Sequence, residues 1–156
     1  MEKEIQGYLG KIGELWGHIQ EMLDGLPPEA LDWRPLEGEG DLATNSLAAI
    51  AAHVAGSGTY LIQEVVGRQP IHRDREGEFS TRGVDVPTLK ARLDAARQAI
   101  EKVLSPFTAA RLEEDRRYRD RTAKVRWILL HVLEHTASHL GHMQLTRQLW
   151  AARNRK

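Results

Sequence analysis

The chain has no cysteine, and that absence removes disulfides, thiolate metal ligands and a thiol nucleophile together. Any thiol chemistry must use a thiol brought from outside. An excess of charge is also missing: lysine plus arginine and aspartate plus glutamate each number 22. No overall field therefore directs the chain to nucleic acid or an anionic membrane, and no nucleic-acid or membrane partner is expected. No apolar run approaches the roughly 18–20 residues needed to cross a bilayer, and the charged, glycine-interrupted N-terminus has no apolar core of signal-peptide type. A soluble, cytoplasmic protein is the expectation. Sustained period-two alternation with β-branched residues is lacking, so no substantial sheet is expected. Internal repeats and low-complexity tracts are lacking as well. With 41% hydrophobic side chains over 156 residues, residues 1–156 are long enough for one domain with a substantial core and too short for two.

What is present is helical periodicity. Ile5, Tyr8, Leu9, Ile12, Leu15, Trp16, Ile19, Met22, Leu23 and Leu26 recur at spacings of three and four, which predicts a first helix over about residues 2–25, ending before Pro27 and Pro28. Gly7, Gly10, Gly13 and Gly17 lie on one side of it. Each costs about 0.5–1 kcal/mol against alanine; close approach of a neighbouring helix, as across a homodimer interface, would offset that cost, or the glycines are simply tolerated. Leu47, Ile50, Ala51, Val54, Leu61 and Val65 predict a second helix over about 45–66, capped by Asn45 or Ser46. Leu89, Leu93, Ala96, Ile100, Val103 and Leu104, following Pro87, predict a third over about 86–104. The last runs from about 123 to 153 with apolar residues on nearly every side, and is expected to be the most enclosed. The fold class is all-α, a four-helix bundle. Its three connections of close to twenty residues exceed the roughly two to eight of a simple up-down bundle, which implies crossovers or loops that cover a site. The segment RLEEDRRYRDRTAKVR mixes both charges and reads as a solvated loop with internal ion pairs.

The stretch HVLEHTASHLGHMQ places four histidines, 131, 135, 139 and 142, in the last helix. With His131 at zero and about 100° per residue, the others fall near 40°, 80° and 20°, one narrow arc. Their axial spread is about 16 Å, whereas metal–nitrogen bonds are near 2 Å, so one ion can use only a neighbouring pair. Spacing does not say which. A third ligand would come from another helix, and His53 is the candidate: it borders the apolar stripe of the second helix and shares its face with Ser57, Tyr60 and Glu64. A lone mid-helix histidine can equally be a hydrogen-bonded structural residue. Ferritin-like di-iron chemistry is excluded, because no glutamate is followed by histidine three residues later. His131, Glu134 and His135 spell H-x-x-E-H, an inverzincin pattern, but no acidic residue follows Glu134 to complete it; the match reads as accidental.

Three stretches, LPPEALDWRPLEGEG, SLAAIAAHVAGSGTYLIQEVVGRQPIHRDRE and TAKVRWILLHVLEHTASHLGHMQLTRQLW, resemble the DinB-like family over nearly the whole chain. The resemblance implies a four-helix bundle that binds a divalent metal, zinc or nickel, through one histidine on the second helix and an H-x-x-x-H pair on the fourth. Carried onto this sequence, those ligands are His53, His135 and His139, with His131 and His142 left as supporting or structural residues. It also implies metal-dependent transfer to a low-molecular-weight thiol of the bacillithiol or mycothiol type, with a small-molecule thiol and an electrophile as partners. A hydrolase using the same site and a non-enzymatic bundle with a structural metal are the alternatives. Tyr60, Glu64 and His131 are candidates for proton handling by helical face alone, and His72 could reach the site only if its loop folds over it.

Overall fold

The structure is a computed structural model that describes residues 1–38 and 43–153; residues 39–42, within the turn-rich first connection, and 154–156 lie outside the described residues. Four long helices form the body: α1 (Lys3–Leu23), α3 (Leu47–Thr59, continued by a π-helical turn over Tyr60–Val66), α5 (Val86–Leu104) and α6 (Val125–Arg153). Short helices α2 (Pro28–Asp32) and α4 (Arg75–Phe79) punctuate the first two connections. The third holds a 3-10 turn over Ala109–Glu113 and strands β1 (Asp115–Tyr118) and β2 (Arg121–Lys124). Helices α1 and α3 each pack on both α5 and α6, so the four close into a ring around one core, an all-α bundle. Trp16 of α1 reaches across that core to α3, where a Cβ at Gly58 would lie 2.7 Å from its ring; only glycine admits the tryptophan there.

The helix boundaries follow local chemistry. Ser46 Oγ accepts from the Ala49 amide at 3.2 Å and Asp85 Oδ1 from the Thr88 amide at 2.9 Å, satisfying first-turn donors that have no helical partner. The stripe Ile5, Ile12, Trp16, Ile19 and Leu23 is buried as its periodicity predicts, each such side chain contributing about 1.5–3 kcal/mol by leaving water. At its C-terminus α1 meets Arg147 of α6, whose guanidinium donates to the carbonyls of Glu21 (2.9 Å), Met22 (2.7 Å) and Asp24 (3.2 Å). The cation sits at the C-terminal end of the helix, where carbonyls lack the regular i+4 partner.

Three expectations are corrected. The arginine-rich stretch is not an open loop but an antiparallel hairpin, with Asp115 opposite Lys124 and Tyr118 opposite Arg121. Its ion pairs exist, as in Lys124–Asp115 at 2.8 Å and Arg111–Glu114 at 3.1 Å. Yet Arg116 and Tyr118 alternate inward, and buried Arg116 donates through Nε to the Val66 carbonyl at 2.9 Å. Four residues per strand and one guanidinium on the inner face leave no apolar alternation to read. Secondly, the most enclosed helix is α3, with eleven of its thirteen residues buried, because α4 and the two flanking helices cover it; α6 exposes Leu130, Leu145 and Leu149. Thirdly, the second helix does not stay α-helical to residue 66. Beyond Tyr60 the Gly67 amide bonds the Ile62 carbonyl at 2.8 Å, and the helical faces shift. Among the described residues, nothing beyond the local helix backbone lies within 4 Å of a Cβ placed at Gly7, Gly10, Gly13 or Gly17, so close packing among them does not account for those glycines.

Replacing Arg147 by Met keeps the alkyl stem and removes three bonds to α1. Urea denaturation is expected to show a loss of about 1–2 kcal/mol; a change within about 0.3 kcal/mol would show that the cap contributes nothing.

Candidate metal centre

His53 lies in the middle of α3 and is only 5% exposed, so its ring must find partners inside. One is Glu78 of α4, itself 6% exposed: His53 Nδ1 donates to Glu78 Oε2 at 2.9 Å. The carboxylate is gripped from the other side by Arg73, Nε to Oε1 at 2.7 Å and Nη2 to Oε2 at 2.8 Å, a fork that matches carboxylate geometry. Asp74 begins α4 by accepting from the Gly77 amide at 2.8 Å, which sets the turn that aims Glu78 inward. Room for it comes from Gly56, where a Cβ would meet Glu78 Oε1 at 2.1 Å. The next residue, Phe79, stacks on the His53 ring with centroids 4.3 Å apart. With Nδ1 committed to the carboxylate, His53 presents Nε2 to the bundle interior.

Facing it are two residues of α6. His135 Nε2 is 3.1 Å from His53 Nε2, and the His139 ring lies 4.5 Å from that of His135 and 4.9 Å from that of His53, centroid to centroid. One ring nitrogen from each of the three falls within 4.8 Å of the others. Among the described residues, buried Nδ1 of His139 has no hydrogen-bond partner. Burial, followed by the neighbouring His139, His53 and His131 rings, pushes His135 down to about 3; burial and the His53 and His142 rings push His139 down to about 4. His53 is also lowered by burial, against the pull of Glu78, with Arg73 offsetting part of that pull. All three imidazoles are therefore neutral at pH 7, the form that carries a free lone pair. Two nitrogens bound to one ion at about 2 Å stand roughly 3–3.4 Å apart, so the residues present fit a divalent cation.

Residues 12–143 match the sequence profile of the DinB superfamily. The chain belongs to the DinB superfamily. Among solved structures, a DinB-like protein from Bacillus cereus ATCC 10987 is similar in fold, with a TM-score of 0.73 at 19% identity over 92% of this chain and 90% of that one. No curated protein matches.

In this DinB-superfamily chain the three expected histidines, 53, 135 and 139, do come together. The other candidates do not join them. Half-buried His131 stacks on Trp127 (centroids 5.1 Å) and meets the Tyr118 hydroxyl at 3.4 Å. Glu134, whose side chain is 76% exposed, approaches only His131, at 3.5 Å, so H-x-x-E-H forms no joint site. His142 is exposed, its ring 5.7 Å from that of His139. Glu64, in the π turn, accepts from the Ile71 amide at 3.2 Å, and Tyr60 lies under Arg73 at 5.3 Å. His72 itself is exposed, although its connection packs on His53 through Glu78 and Phe79. Arg73, Glu78 and Phe79 were missed by sequence reasoning; the only local signal is Asp74 three residues before Gly77, a capping pattern inside an apparent loop.

Unfolded, these histidines titrate near 6.5; folded, His135 and His139 stay unprotonated to about 3 and about 4. Between roughly pH 6.5 and 4 the unfolded chain binds more protons, so stability is present above that window and lost as pH falls through it. The urea midpoint of metal-free protein is expected to be lower at pH 5 than at pH 7, and His135→Gln to flatten the difference; equal pH dependence in both proteins would contradict the assignment. Gly56→Ala forces the carboxylate off His53 and is expected to destabilise by about 1–3 kcal/mol, against no effect if Glu78 simply swings away.

Proposed function

We propose that His53, His135 and His139 hold one divalent metal ion, zinc or nickel, and that the loaded protein is a transferase acting with a low-molecular-weight thiol of the bacillithiol or mycothiol type. The observation that carries the reading is the convergence of three imidazole nitrogens with no further histidine or carboxylate in the group among the described residues. Three protein ligands leave a coordination position open, as in catalytic sites, whereas structural sites are closed by four. A bound divalent cation would supply Lewis acidity and favour the thiolate form of a thiol in the open position.

The chain's own residues prepare the site. Glu78 orients His53 and fixes its tautomer, and Arg73 balances the carboxylate so that it does not draw a proton onto the ring. Burial keeps His135 and His139 unprotonated, and Phe79 shields one face of His53. Exposed His142, next to His139, is the group that accepts the thiol proton and passes it to solvent. The nucleophilic sulfur comes from the thiol substrate, consistent with a chain that has no cysteine.

Metal analysis of protein prepared without a histidine tag is expected to find close to one equivalent per chain, falling at least about tenfold in His53→Ala and His135→Ala; Glu78→Gln is expected to weaken affinity about 10–100-fold with the fold intact. Equal metal content in wild type and both alanine variants would overturn the site. Metal-dependent thiol consumption with a panel of electrophiles supports the transferase, and chelator-sensitive hydrolysis without thiol consumption rejects it.

A further inference from the structure

On the His142 side of α6 lies a cavity of about 720 Å³ whose lining includes Trp33, Leu36, Ile50, His142, Leu145 and Leu149. Its volume is within the roughly 300–1,000 Å³ of small-molecule sites, and its composition is of the same kind: apolar walls with a few polar groups at the edges. Leu36, Leu145 and Leu149 are 61%, 55% and 42% exposed. In α6, Leu145 and Leu149 leave about half of their apolar surface open among the described residues. Trp33 of the lining is tilted against Trp150 at 5.6 Å, with the Arg153 guanidinium 5.7 Å and 5.9 Å from the two rings. His142, also in the lining, meets the His139 ring edge-on with centroids 5.7 Å apart. The cavity is thus a half-open, mainly apolar recess that shares His142 with the edge of the candidate metal centre.

We infer that this cavity binds the apolar body of the second substrate, an aromatic or alkyl organic electrophile, and presents its polar end past His142 to the three-histidine group. Low-molecular-weight thiols are small polar molecules that a wall of leucine and tryptophan does not suit, so the recess takes the other reactant. What the bound molecule meets past His142 rests on the metal reading above; binding itself does not need the metal. The alternative occupant of exposed leucines is a second copy of the chain, but a concave recess of about 720 Å³ suits a small molecule better than a helix face.

The test titrates metal-free, tag-free protein with 1-naphthol and with 1-anilinonaphthalene-8-sulfonate, by calorimetry and probe fluorescence. One molecule is expected to bind per chain, about tenfold or more weakly in Leu145→Lys and Leu149→Lys, which place a charge in the wall at positions exposed enough for the fold to tolerate it, as circular dichroism melting checks. His53→Ala is expected to bind as wild type does. No saturable binding of either probe, binding indifferent to both lysines, or a dimer that Leu145→Lys dissociates would each overturn the inference. Probe binding together with a failed metal analysis upholds the recess and rejects the metal reading. In protein loaded with cobalt(II), saturation with 1-naphthol is expected to change the visible absorption bands; unchanged bands with bound cobalt would overturn the approach to the histidines.

Discussion

A carboxylate buried in the bundle has to be paired, and the pairing of Glu78 with His53 and Arg73 is the constraint on which the rest of the site depends. Taken from water without partners, that charge would cost several kcal/mol. With them it does three things at once. It ties the α4 connection onto α3, fixes which nitrogen of His53 faces inward, and seats Phe79 against the ring. Gly56 is the backbone counterpart of the same contact, since any side chain there would occupy the space of the carboxylate.

Placement of the other two imidazoles follows from the bundle. Helix α6 packs on α1 and α3 together, and residues one turn apart on its inner edge share a direction. His135 and His139 therefore meet His53 without any loop having to hold them. The same packing withdraws them from water, and desolvation suppresses their basicity. Fold stability and site chemistry are coupled here: burying titratable groups as neutral bases costs stability in acid and provides lone pairs at neutral pH.

How much of this could be read beforehand differs by element. The stripes of α1 and α5 repeat every three or four residues and end at proline, so their limits of about 2–25 and 86–104 fall within two residues of Lys3–Leu23 and Val86–Leu104. Helical arithmetic placed the four histidines on one arc but left the pair undecided; the family resemblance chose His135 and His139. Glu78 was hidden because a carboxylate that crosses 25 residues of sequence to a histidine leaves no periodic trace. The π turn after Thr59 misled the face assignment of Glu64, since a one-residue change of register rotates everything downstream. The hairpin escaped because its inner face is made by Arg116 and Tyr118 rather than by aliphatic residues.

The central claim is that the three imidazoles converge to hold one ion, and it is tested most directly by anomalous diffraction. Crystals of protein loaded with zinc or nickel should be measured on both sides of that metal's absorption edge. One peak per chain, about 2.0–2.2 Å from a ring nitrogen of each of His53, His135 and His139, is the expected result. A peak at the exposed His142 or His72 instead, or none in the bundle at full loading, would contradict it.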